Sequence, residues 1–73
     1  MDRTATESVI KVILTEISQR LDKASRIAKA AEACATAGDA DNGVQVALDI
    51  EQLAYEAGRL LDAASLLNRI SKE

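Results

Sequence analysis

Few residues in this 73-residue chain are equipped to do chemistry, and they are scattered. The only thiol is Cys34, and no histidine exists anywhere to activate it. Ser8, Ser18, Ser25, Ser65 and Ser71 lack a base for the same reason, and nucleophilic catalysis needs one within hydrogen-bond reach. Lys23 and Lys29 fall on an outer helix face. One thiolate and no imidazole cannot make a zinc site. No catalytic residue, cofactor site or metal site is expected, and the chain reads as non-enzymatic.

The carboxylates are the remaining candidate metal ligands. Asp39-Ala40-Asp41-Asn42-Gly43 resembles the start of a calcium loop. The EF-hand pattern, however, puts glycine sixth and a glutamate twelfth. Here glycine comes fifth and the twelfth residue is Ile50, so the stretch reads as a turn and helix cap. A di-metal bundle site needs inward glutamates with Glu-x-x-His, which a histidine-free chain lacks. Asp49 and Glu56 share one rim of a helix, and Glu51 and Asp62 the other; both read as solvated rims.

Two outer surfaces remain. Lys23, Arg26 and Lys29 cluster on one helix, where phosphate contacts would give salt-dependent RNA binding. Asp22 interrupts the cluster and no aromatic lies nearby to stack on bases. Dimeric helical hairpins that bind RNA loops are similar in architecture, without a shared motif. Nucleic acid is therefore the alternative partner. Leu48, Tyr55, Arg59 and Leu66, at steps of seven, four and seven, form an outer line bordered by Ile70. Large apolar groups on an outer face read as a partner-binding surface.

The elements that would position these groups are helices. The chain has no proline, three glycines, one aromatic residue and 48% hydrophobic residues, with alanine and leucine prominent. That is helix-forming vocabulary. Thr4-Ala5-Thr6-Glu7 has capping-box spacing. Ile10, Leu14, Ile17, Leu21, Ala24, Ala28, Ala31 and Ala35 then recur at alternating steps of four and three, a heptad seam, with Ile13, Ile27 and Cys34 beside it. Gly38 is a natural helix stop, and Asp39, Asp41 or Asn42 can cap the next helix. Val46, Ile50, Leu53, Ala57, Leu60, Ala64 and Leu67 form a second seam, flanked by Ala47, Ala54 and Leu61.

The expected fold is all-α: one domain over residues 1–73, an antiparallel two-helix hairpin with helix 1 over 4–37, a loop over 38–43 and helix 2 over 44–71. A break at Gly58, giving three helices, is the alternative. The segment Tyr55 to Ile70 resembles the turn and second helix of a tetratricopeptide repeat, with Gly58 and Ala63 at that family's turn glycine and small packing position. The resemblance implies a turn at Gly58. No 34-residue period accompanies it.

Each apolar arc is broader than one neighbouring helix can cover. A second hairpin would cover the rest, so a homodimeric four-helix bundle is expected, with Ile10, Leu14, Ile17, Leu21, Ile50, Leu53, Leu60 and Leu67 as its core and dimer seam. The net charge of -3 offers no general attraction to nucleic acid or anionic membrane. Lys11 breaks the apolar stretch Val9 to Leu14, so no membrane span is expected. A single cysteine without a signal-peptide profile fits the cytoplasm. Protein–protein interaction, as an accessory or regulatory subunit, is the leading functional expectation; RNA binding and a purely structural oligomer are the alternatives.

Overall fold

The computed structural model describes residues 2–72, which form an all-helical hairpin. Helix α1 spans Arg3–Thr36, α2 Ala40–Ala47 and α3 Asp49–Lys72. Helices α2 and α3 form one bent arm that returns along α1. The bend lies at Leu48, whose backbone stays right-handed helical (φ -59°, ψ -27°). Its carbonyl accepts from the Glu51 amide three residues on, at 3.2 Å, a tightened turn. The alternative break at Gly58 is thereby corrected: α3 runs through Gly58, and the interruption falls ten residues earlier.

The N-cap also differs from the expectation. Asp2, not Thr4, caps α1, its carboxylate accepting from the amides of Thr4 and Ala5 at 3.3 and 3.4 Å. With α1 starting at Arg3, Thr4 lies inside the first turn and its amide is held by Asp2, while Glu7 accepts from Arg3 Nε at 3.0 Å. The other guanidinium nitrogens of Arg3 reach Ser71 Oγ at 2.8 Å and Asn68 Oδ1 at 3.3 Å. One side chain thus ties the start of α1 to the end of α3.

At the other end the turn is tighter than expected. Gly38 adopts φ 94°, the left-handed conformation open to glycine. The Asp39 amide then donates to Cys34 O at 2.9 Å and the Gly38 amide to Ala35 O at 3.0 Å, closing a Schellman motif. Asp39 Oδ1 accepts from the Asn42 amide at 3.0 Å, so α2 starts at once. The expected loop over 38–43 shrinks accordingly, and Gly43 lies inside α2. A Cβ at Gly43 would sit 2.8 Å from the Ala31 carbonyl oxygen, so this glycine allows the two backbones to touch.

That contact sets the rotation of α1. With Gly43 seated against Ala31, Cys34 and Ala35, the line facing the returning arm is Thr6, Ile10, Ile13, Ile17, Arg20, Ala24, Ile27, Ala31 and Cys34, each buried or half-buried. The expected seam through Leu14 and Leu21 is corrected within the hairpin: those side chains are 52% and 53% exposed. Ile10 and Ile17 face the arm. On the arm, Val46, Ile50, Leu53, Ala57, Leu60, Ala64 and Leu67 are all buried or half-buried.

Only Thr6, Ala31, Gly43, Ala57 and Ala64 are buried among the described residues. No isoleucine, leucine or valine is among them. The molecule measures 54 × 14 × 11 Å over its Cα atoms, with a radius of gyration of 16.7 Å. A compact chain of this length would have a radius near 11 Å. The hairpin is a single layer of helices, whereas globular domains pack at least two layers around a core.

Candidate functional site

A single layer has two broad faces, and in this hairpin they differ chemically. In an antiparallel helix pair, positions just before the seam meet on one face and positions four after it meet on the other. The first face carries charge. Arg20 sits on the seam line itself, with Nε donating to Glu56 Oε1 at 3.0 Å and Nη1 to Glu16 Oε1 at 2.9 Å. Gln52 Nε2 donates to the other Glu56 oxygen at 3.0 Å. The hydrogen bond that Arg20 donates to Glu16 is the main cause that raises the Arg20 pKa, offset in part by desolvation and reinforced by Glu56. Gln52 first, then Arg20, hold the Glu56 carboxyl below its ordinary value. This network lies across the middle of the hairpin and covers the seam from that side.

The second face has no such cover across its middle; its polar bridge, Arg3 to Glu7 and Asn68, lies at the end. On α1 it carries Leu14, Leu21, Ala28 and Ala35, and on the arm Ala47, Ala54, Leu61 and Asn68. Leu14, Leu21 and Leu61 are 52%, 53% and 58% exposed. An open trough of about 420 Å³ runs beside Leu14 and Ile10, with Arg3, Glu7, Lys11, Thr15, Ser18 and Asn68 along its polar edge.

The outer surface of the arm carries the expected partner line. Leu48, Tyr55 and Leu66 are 49%, 63% and 49% exposed, and Arg59 is exposed and hydrogen-bonded to Asp62. Asp62 is the main cause that raises the Arg59 pKa, and Tyr55 adds to it. The bend at Leu48 sets that residue apart from the other three. Leu48 borders a cleft with Lys23, Ile27 and Gln52, on the charged face.

The basic cluster is also distributed. Lys23, Arg26 and Lys29 are all exposed. Arg26 is engaged by Asp22 at 2.8 Å, and Lys23 borders the Glu56 carboxylate. Cys34 is half-buried against the turn, its sulfur accepting from Asn42 Nδ2 at 3.6 Å. Among the described residues no group of three or more Cys, Asp or Glu is placed to hold a metal ion. No helix among them is long and apolar enough to cross a membrane.

The sequence reading missed Arg20 as a seam residue. The signal was its place in the series Ile13, Arg20, Ile27, at the heptad interval. Comparison with known proteins places the chain in no group: it matches no family model, no curated protein and no solved structure.

Proposed function

We propose that this chain is a non-enzymatic interaction module, an accessory or regulatory subunit that works by packing its hairpin against other helices. The observation that carries this reading is that, among the described residues, no large aliphatic side chain is buried, while Leu14, Leu21 and Leu61 stand half exposed on one face. Burying a leucine contributes about 1.5–3 kcal/mol. A hairpin that leaves several of them in water has its main source of stability outstanding, and docking supplies it. Folding and binding are then one event. The single cysteine supports a cytoplasmic setting.

Dilution tests this directly. Helicity followed by circular dichroism, from high to low micromolar concentration, should fall as association is lost. Full helicity that is independent of concentration, with no added partner, would show a self-sufficient hairpin and overturn the reading.

The outer line Leu48, Tyr55, Arg59 and Leu66 lies away from the apolar face, so it stays open to a further protein once that face is covered. Tyr55→Glu combined with Leu66→Glu should abolish capture of such a protein while leaving self-association intact. Retention of every captured protein would remove this line as the site.

A further inference from the structure

We infer that the apolar face is covered by a second copy of this chain, packed head to tail with the two α1 helices antiparallel and Leu21 at the two-fold axis. The inference rests on the interaction-module reading and specifies its partner and register.

Surface area sets the scale. The hairpin exposes 5240 Å². A compact monomer of 7.8 kDa exposes about 4,400 Å² by the surface–mass relation. The excess, about 800 Å², is one partner's share of a standard stable interface. The face offering it is the one without the Arg20–Glu56 network.

The side chains select the occupant. The contact line that α1 turns to this side is Lys11, Leu14, Ser18, Leu21, Ser25, Ala28 and Glu32, again at alternating steps of three and four. Reversed about Leu21, the line matches itself. Lys11 falls opposite Glu32 of the second copy, Leu14 opposite Ala28, and Ser18 opposite Ser25. Opposite charges meet, a large residue meets a small one, and like polar groups meet. The arm follows the same operation, with Leu61 falling near Ala47 of the second copy and Ala54 near the axis. The leucines cluster toward the chain termini and the alanines toward the turn, so a head-to-tail copy keeps the interface even in width. A two-fold axis along the helices would instead put Lys11 near Ser65 and Glu32 near Val44, with neither charge matched. An isologous interface requires self-complementarity of this kind.

Charge exchange at exposed positions tests the register without touching the apolar contacts. Dimerisation is measured by sedimentation equilibrium for the unaltered chain, Lys11→Glu, Glu32→Lys and the double variant. The unaltered chain should be a dimer. Each single change replaces two attractive pairs by repulsive ones and should weaken the dimer by about tenfold. The double variant should recover the original affinity. Singles without effect, or a double that does not recover, overturn the head-to-tail register. A higher oligomer that still loses helicity on dilution overturns the two-copy assembly while the interaction-module reading stands. A folded monomer at every concentration overturns both.

Discussion

Gly43 shows how one residue sets the geometry of the hairpin. Its missing side chain lets α2 touch α1, because a Cβ there would meet the Ala31 carbonyl oxygen at 2.8 Å, and backbone cannot yield as a flexible side chain can. Gly43→Ala gains about 1 kcal/mol of helix propensity, but the overpacking costs about 1–3 kcal/mol. The melting temperature should therefore fall; a rise would show that the helices do not touch at this point. Glu56 gives a second residue-scale prediction. Its carboxyl titrates below its ordinary value because Gln52 and Arg20 stabilise the charged form. The folded state thus holds its proton less tightly than the unfolded chain does. The resulting stability is present above the ordinary carboxylate range and is lost as pH falls through the lowered value. Thermal melts from neutral pH downward should show a shallower acid loss for Glu56→Gln than for the unaltered chain. Equal slopes would mean that the Arg20 network adds nothing to folding. Neither residue's role is evident from type alone: Gly43 reads as loop beside Asp41 and Asn42, and Glu56 reads as a rim.

At the scale of elements, the turn is defined by two adjacent residues with separate tasks. Gly38 ends α1 through its left-handed backbone, and Asp39 begins α2 by capping the Asn42 amide. Asp39→Ala should cost about 1 kcal/mol, the usual loss for a removed N-cap. Asp41→Ala, which leaves that bond in place, should cost clearly less. Equal losses in chemical denaturation would show that Asp39 acts only through its charge. The helices and the turn were legible because they depend on local signals: heptad spacing, the absence of proline, and a glycine followed by capping residues. The seam on the arm was legible for the same reason. The seam on α1 was only half legible. Ile10, Leu14 and Ile17, like Ile10, Ile13 and Ile17, satisfy a heptad, and periodicity alone cannot choose between two neighbouring stripes of one wide arc. The choice is made by a long-range contact, Gly43 on Ala31, which no local window contains. The same reasoning explains Gly58. A tetratricopeptide-like stretch suggested a turn there, yet the apolar phase from Leu53 to Leu67 continues through it, and the helix follows the phase.

At the scale of the whole molecule, the two faces of the layer predict how solution conditions act. The charged face is a network of partly exposed groups around Arg20, and exposed ion pairs contribute little and are screened by salt. The opposite face presents Leu14, Leu21 and Leu61, and its polar bonds, from Arg3 to Glu7 and Asn68, lie only at the end of the hairpin. If covering that face completes the fold, apolar burial dominates stability, and agents that act on it should outweigh agents that only screen charge. Sodium sulfate, which is excluded from protein surface and strengthens burial, should raise the melting temperature substantially. Sodium chloride at equal ionic strength should change it far less, because it mainly removes weak surface pairs. The ratio of the two effects separates the contributions of the faces. A chloride effect as large as the sulfate effect, and of opposite sign, would make the Arg20 network the chief support of the hairpin. The apolar face would then be a surface that the fold tolerates rather than one that it is built to cover.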